Sequence, residues 1–302
     1  MATKPKANVQ EFSFYGGKAI VEKKPWGAHY THKRRGSAKT LISVTGITKK
    51  LDKSGALIPW AVGLVCSTIT QQLEKESSER LSYTKDEILL MVEEGRRSPE
   101  TAKVSGGTTG TFIHDFAHDF AKAKIAGIDV PTLDHLSPEI PEQQKALNGI
   151  SAFLDWYNDN DVEFLEMEKM FYYNSFLAGD SGPEEEDPNF VEYFGYADLV
   201  AKVNGKLAMI DYKSSKGIYS EQKYQLRGYS HARDKEIMFH RMNGNGALYP
   251  DETTQCDMVV NFNKITGELM TEIVEQADRD KNLQAFLGLY KVAVREKELG
   301  AY

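Results

Sequence analysis

Two apolar segments of this chain end in groups that could do chemistry. "LAMIDYK" reads as a buried strand whose exit carries Asp211 and Lys213, and "GYADLV" places Asp198 in a similar apolar setting. A buried carboxylate is costly unless it is paired or binds a cation, and ligand sites of α/β proteins collect at strand ends. Asn204-Gly205 lies between the two segments and is the strongest short hairpin signal a sequence carries. If it forms a two-residue turn, Val203 faces Lys206, and counting outward puts Asp198 directly opposite Asp211. Their Cβ atoms would then sit about 4.5–5.5 Å apart, where like charges repel.

A divalent cation between the two carboxylates resolves that repulsion, and Mg²⁺ or Mn²⁺ suits a site of one or two carboxylates completed by water and phosphate. Lys213 shares a face with Asp211 and could stabilise charge developing on a phosphorane. Tyr212 points the other way but offers its carbonyl as a further oxygen ligand. Gln225 and Tyr229 stand one helical turn apart and could hold a nucleic-acid backbone beside the metal, or simply pack on a sheet. In "HDFAHD", His114 and His118 are also one turn apart. They admit three readings: a zinc HxxxH lacking its usual glutamate, an HD-type nucleotide phosphohydrolase that would need further histidines such as His135, His231 or His240, or an imidazole completing the Asp198/Asp211 site.

The elements that must position these groups follow from periodicity and punctuation. Residues 11–35 read as strands around a Gly-Gly turn. "SVTGITKKLDKSGALIPWAVGLVCSTITQQL" reads as two helices, with Pro59 suited to the first turn of the second. Thr84 and Glu87 form a capping box that opens a third helix. "RRSPETAKVSGGTTG" then reads as a polar, glycine-rich loop whose Arg96, Arg97 and Lys103 could close over a DNA strand. Phe112, Ile113, Phe116, Ala117 and Phe120 mark a helix carrying His114, and another covers roughly 138–159. A long strand through Glu168, the hairpin, a helix from Ser220, a second hairpin and a C-terminal amphipathic helix complete a mixed α/β core with flanking helices.

The formal net charge of −7 argues weakly against nucleic acid, but its distribution does not. Residues 1–54 hold twelve Lys/Arg against Glu11, Glu22 and Asp52. Lys33, Arg34 and Arg35, with Lys23 and Lys24, lie among Trp26 and Tyr30, a composition suited to phosphate contacts and base stacking. No window approaches a transmembrane run of apolar residues, so no membrane partner is expected. Cys66 and Cys256 are too few and too distant for a disulfide framework, which makes a cytoplasmic compartment the expectation.

Together "GTFIH" (His114), "GYADLV" (Asp198), "IDYKSSK" (Asp211, Lys213) and "QLRGY" (Gln225, Tyr229) resemble, in order and approximate spacing over residues 110–230, the RecB-type branch of the PD-(D/E)XK nuclease superfamily. "SVTGITKKLDKSGALIPWAVGLV" and "VEFLEMEKMFYYN" look like segments of phage and mitochondrial-genome-maintenance exonucleases of this type. The resemblance implies a restriction-endonuclease-like core of helix, three strands, helix and strand. It implies metal ligation by Asp198 and Asp211 with His114 in support, Lys213 as catalytic lysine, Gln225 and Tyr229 as a QxxxY element, and Glu168 as a less certain member. His118 stands where relatives often carry Glu, which puts its role in doubt. The cysteines that hold an iron–sulfur cluster in some relatives are absent, so none is expected, and no Walker motif suggests an ATP motor.

The expected division is residues 1–109, basic and DNA-contacting, and 110–302, the nuclease core, forming one compact unit. The expected function is Mg²⁺- or Mn²⁺-dependent DNA exonuclease activity on single strands or ends, in phage or bacterial replication, recombination or repair. A helicase, polymerase or annealing protein would be a separate partner. The alternatives are the HD-type phosphohydrolase and an inactive nucleic-acid-binding relative.

Overall fold

The central hairpin forms as its turn dictates. In the computed structural model, which describes residues 10–23, 30–34, 37–77, 82–184, 187–244 and 252–300, Asn204 and Gly205 take φ of 51° and 79°, as a type I′ turn requires. They join β7 (Glu192–Val203) to β8 (Lys206–Lys213), paired from Val203 opposite Lys206 out to Leu199 opposite Ile210. There the two strands part. β8 continues parallel to β9 (Cys256–Phe262) as far as Lys213 opposite Asn261, and β9 pairs antiparallel with β10 (Leu269–Val274).

β6 (Val162–Asn174) lines the other edge of β7 from end to end. Beyond the parting point, the edge that β8 has left is taken up by β5 (Ile42–Ser43), parallel to Tyr193 and Phe194. The resulting six-stranded mixed sheet contains a fork: from Gly195 to Asp198, β7 has no ladder partner on the edge shared by β8 and β5.

Helices cover both faces, so the fold is mixed α/β. On one face, α3 (Lys85–Ala126) and α4 (Pro141–Asp159) bury Ile113, Phe116, Phe120, Phe153 and Trp156 against Leu199, Ile210 and Tyr212. On the other, α6 (Ser220–Met242) and α7 (Gln276–Glu298) pack Leu226, Tyr229 and Phe286 on Tyr193, Ala197, Val200 and Met209. α1 (Val44–Thr48) follows β5, its N-terminus capped by the Ser43 hydroxyl accepting the Gly46 N–H at 3.0 Å. The short α5 (Ser175–Ala178) closes β6. A separate antiparallel meander of β1 (Gln10–Phe14), β2 (Ala19–Lys23), β3 (Tyr30–Arg34) and β4 (Ser37–Thr40) seats Phe14, Tyr15 and Val21 on Met170, Tyr172 and Phe194.

Four expectations need correction. The glycine-rich segment carrying Arg96, Arg97 and Lys103 is helix, because α3 runs unbroken through it. The capping box starts α3 as read: Thr84 Oγ1 accepts the Glu87 N–H and the Glu87 carboxylate accepts the Thr84 N–H. Further along, Ser98, Thr101 and Thr109 spend their hydroxyls on carbonyls of the preceding turn. α2 (Ser54–Ser77) packs against this stretch so closely that a Cβ on Gly95 would meet Ile69 at 2.9 Å. Packing thus outweighs the cost of Pro99 and the glycines, and the three cations pair along the helix with Glu93 and Glu100.

The boundary at 109/110 therefore falls inside a helix and divides nothing. Pro59 sits past the first turn of α2 rather than in it. Finally, α2 from Ser54 to Lys75 is long and apolar enough to cross a membrane, with Leu57, Ile58 and Val62 exposed, contrary to the expectation that no window approaches such a length.

Candidate active site

The fork is where the candidate residues meet. Asp198 is the last residue of β7 before the β8 ladder begins, and its carboxylate takes the place of a main-chain acceptor: the Tyr212 N–H donates to Asp198 Oδ2 at 2.8 Å. A residue's N–H and C=O face the same neighbour in an antiparallel ladder, so the Tyr212 carbonyl faces this gap as well. Asp211 and Lys213 flank Tyr212 and lie on the α6 side of β8, because Tyr212, Ile210 and Ala208 pack on α3 and α4. The Lys213 ammonium is paired with Asp211 Oδ2.

α3 delivers the imidazoles. It passes so near the exit of β8 that a Cβ on Gly110 would meet Ser214 Oγ at 2.7 Å, and one turn later His114 Nδ1 lies 3.8 Å from Asp198 Oδ2. A further turn on, His118 Nε2 sits 3.2 Å from Glu168 Oε2. Glu168 occupies the point of β6 that faces Asp198, between the rungs Lys169–Ala197 and Met167–Leu199. Its φ of 44° is left-handed, a strained conformation for a glutamate in a strand and one that clusters at functional sites. Inward alternation shifts there in both strands. Phe171 and Ala197 pack on the α6 side, whereas Met167 and Leu199 pack toward α3.

The electrostatics follow from this crowding. Burial pushes the Asp211 carboxyl up to about 6; Lys213 pulls against it, and the Asp198 charge adds to the rise. Burial also raises Asp198, opposed by Lys213 and the Tyr212 N–H. Burial lowers His114, reinforced by the Lys213 charge, and favours its neutral form. For Lys213 burial opposes the charge, but attraction to Asp211 and then Asp198 outweighs it and holds the ammonium above its ordinary value. Buried Asp211, half-buried Asp198 and Glu168 thus gather at one lysine.

The donor set fits a hard divalent cation: carboxylate oxygens from Asp198 and Asp211, a main-chain carbonyl, and Glu168 at the rim. Among the described residues no group of three or more Asp, Glu, His or Cys side chains converges closely enough to hold a metal ion by itself, so an ion here would need the main-chain carbonyl and water to complete its shell. The two cysteines are free and far apart, Cys66 on α2 and Cys256 at the start of β9.

The QxxxY pair does not face a substrate surface as expected. Tyr229 is buried in the sheet–helix core, filling the fork so closely that a Cβ on Gly195 would meet its ring at 2.3 Å. Its hydroxyl receives Gln225 Nε2 at 2.7 Å and contacts Thr45 Oγ1 at 3.5 Å. The pair is a wedge between β8 and α1 that holds the fork open. The HD-type arrangement does not assemble: Asp115 and Asp119 are exposed, His135 packs on Phe112, and His231 is buried against Tyr193. Lys33 and Arg34 fall on β3, while Arg35, with Lys24 and Trp26, lies outside the described residues.

Sequence reasoning did not single out a second basic surface. A cleft of about 870 Å³ beyond the exit of β8 is lined by Lys53, Lys145, Lys216 and Lys264 with Trp60 and Tyr219. Lys53 is paired with Glu221, and Lys264 donates to the Gly106 carbonyl. Only Lys216, in "YKSSK", lay close enough in sequence to the site to signal it.

No family model matches the chain, and no curated protein matches it. Among solved structures, one described as "Crystal structure of SSO0001" is 14% identical, with a TM-score of 0.28. The match covers 51% of this chain and 59% of that one. A likeness of that extent carries no argument about fold family or function, so the functional reading rests on the site.

Proposed function

We propose that this protein is a Mg²⁺- or Mn²⁺-dependent DNA exonuclease acting on single strands or ends, built on a restriction-endonuclease-like core of the PD-(D/E)XK type. The observation that carries the reading is the fork. Asp198, Asp211 and Lys213 come from two strands of one hairpin, and they meet where those strands separate. A structural ion pair needs neither the second carboxylate nor the strained Glu168 opposite it.

A bound divalent ion would neutralise the phosphate and lower the pKa of an attacking water. Asp198, Asp211 and the Tyr212 carbonyl would hold it, with Glu168 at its rim. Lys213 keeps its proton, so Nζ is a donor. It can orient the water or stabilise the extra negative charge as water oxygen bonds to phosphorus and the bridging P–O bond breaks. Neutral His114 positions the Asp198 carboxylate. The lysines of the large cleft give the phosphate backbone a path away from the fork.

The test is degradation of end-labelled single-stranded, double-stranded and circular DNA by wild type and Lys213→Ala, with Mg²⁺, Mn²⁺ or EDTA. The reading expects cleavage by wild type alone, only with metal, and sparing of the circle. Intact DNA under every metal, with binding retained, overturns it in favour of a binding protein. Cleavage of the circle overturns the exonuclease assignment but keeps the nuclease.

A further inference from the structure

Two aromatic side chains stand uncovered in the cleft beyond the exit of β8. Trp60 comes from α2 and Tyr219 from the residue that opens α6, and both line the cleft. Trp60 keeps 39% of its surface exposed and Tyr219 48%. Among the described residues neither ring packs on another aromatic ring or carries a cation. Trp156 shows the alternative, enclosed with Phe153 and Tyr212 against it. Leu57, Trp60 and Leu64 recur at i, i+3 and i+7, so α2 turns one apolar stripe toward the opening.

The opening is braced, and its charge is unbalanced. Lys53, ahead of α2, reaches Glu221 of α6 at 2.7 Å, and Lys264 of the β9–β10 turn donates to the Gly106 carbonyl of α3 at 2.6 Å. These ties join one lining segment to another, so the cleft is formed before anything enters it. Of its two acids, Glu221 is taken by Lys53 and Asp52 by the N–H and hydroxyl of Ser54. Lys216 is exposed and has no acidic partner among the described residues. The lining therefore offers an apolar stripe from one helix and positive charge from the segments around it.

Resting on the nuclease reading for the identity of the substrate, we propose that Trp60 and Tyr219 receive unpaired bases of the DNA strand and select single strands for the fork. A nucleotide presents both of the things this cleft can bind, a flat π-face and a phosphate. Every base has such a face, so stacking on a free ring is sequence-tolerant. Inside a duplex those faces are covered by neighbouring pairs, and only the phosphates are left to the lysines. Lys216 follows Lys213 by three residues, at most about 11 Å of extended chain. The bases held here therefore belong to nucleotides close to the phosphate at the fork. The lysines alone would hold either form of DNA; the two rings discriminate.

The experiment measures binding by full-length protein in EDTA, so that no strand is cut. Its probes are a labelled single-stranded oligothymidylate and an abasic strand of the same length, which keeps the phosphates and lacks the bases. Wild type should bind the base-bearing strand about tenfold or more tightly than the abasic one, the scale of one base–aromatic stack. Trp60→Ala and Tyr219→Ala should each lose about tenfold on the base-bearing strand. Neither should change affinity for the abasic strand, which also shows that the variants are folded. Trp60→Phe, which keeps a ring, should retain most of the preference. Lys216→Gln should weaken both strands alike and flatten the salt dependence by about 0.7. Equal binding of the two strands by wild type overturns the inference. So does an equal loss on both strands in Trp60→Ala, the signature of a merely structural tryptophan. Unchanged binding in both alanine variants overturns it as well and leaves the apolar stripe of α2 to a protein or a membrane. A wild type that discriminates the strands in EDTA but cuts neither when Mg²⁺ or Mn²⁺ is added keeps the stacking residues and overturns the nuclease reading.

Discussion

Two of the places where the described residues bury charge are built in opposite ways. Where α6, α7 and β9 meet, Arg279 and Asp257 are almost wholly enclosed, with Nε and Oδ1 3.2 Å apart. The same guanidinium reaches Asp234 at 3.4 Å and donates to the Thr254 carbonyl at 2.7 Å and hydroxyl at 2.6 Å. Thr254 in turn gives its N–H and hydroxyl to Asp234, and Arg227 stands 4.0 Å from that carboxylate. Arg233 stands 3.9 Å from it as well, so two acids face three arginines. At the fork, buried Asp211, half-buried Asp198 and Glu168 gather round the Lys213 ammonium, beside imidazoles of which His114 favours neutrality. The first cluster draws its balancing charge from the chain itself. On the proposed reading the second takes the rest of its positive charge from a bound cation, which distinguishes a clamp from a site.

The comparison breaks most sharply on matched substitutions. On the proposed reading Lys213→Ala should lower nuclease activity by about 10³-fold or more, since it removes the ammonium held beside Asp211 at the fork, while the protein keeps its circular dichroism spectrum. Retained activity would make Lys213 a structural partner of Asp211 and no more. Arg279→Met should do the reverse. Leaving Asp257 and Asp234 buried without their cation costs about 3–5 kcal/mol, read as a lower denaturant midpoint, with residual activity per folded molecule unchanged. Asp198→Asn keeps an acceptor for the Tyr212 N–H and relieves repulsion, so stability should change by less than about 1 kcal/mol while activity falls with Lys213→Ala.

Much of the satisfied architecture and part of the site were legible in sequence, because both rest on local rules. Asn204-Gly205 fixes its turn and hence the register that brings Asp198 beside Asp211, and Thr84/Glu87 starts α3 where read. What escaped was decided by distant partners. α3 stays helical through Pro99 and its glycines because α2 lies against it, a contact between helices no window shows. The fork itself depends on β5, two residues long and some 150 positions from its partner on β7. Sequence leaves Tyr229 either on a substrate face or packed on the sheet, and its close approach to Gly195 decides for packing. The left-handed Glu168 has no sequence signal, since nothing local favours it.

Metal sharpens the comparison with a smaller effect. A ligand that binds only the folded state stabilises it by about 2.7 kcal/mol at a hundredfold excess over Kd. Mg²⁺ or Mn²⁺ should therefore raise the Tm of wild type and of Arg279→Met by similar increments, and leave Asp198→Asn and Asp211→Asn unmoved. An increment that survives both substitutions would place the cation elsewhere and dissolve the argument from charge imbalance.

Glu236 is the control that belongs to neither region. It is a carboxylate on α6 buried beneath the N-terminal meander, where it accepts the Tyr15 N–H at 3.4 Å. Burial pushes it up to about 7 from 4.5, against the pull of the Tyr15 N–H and Lys169. The folded state therefore holds this proton more tightly than the unfolded chain. Its contribution is fully present below pH 4.5 and is lost as pH rises through 7. Glu236→Gln, which cannot ionise, should match wild type near pH 4 and exceed it by about 3 kcal/mol at pH 8, in denaturant melts at both pH values. The proposed nuclease activity should be untouched, because Glu236 is held by Tyr15 of the meander rather than by the fork. If the gain is absent at pH 8, burial alone does not penalise a carboxylate in this fold. The raised Asp211 would then need its neighbour Asp198 as the cause, which would tie the imbalance at the fork still more closely to the pair of acids.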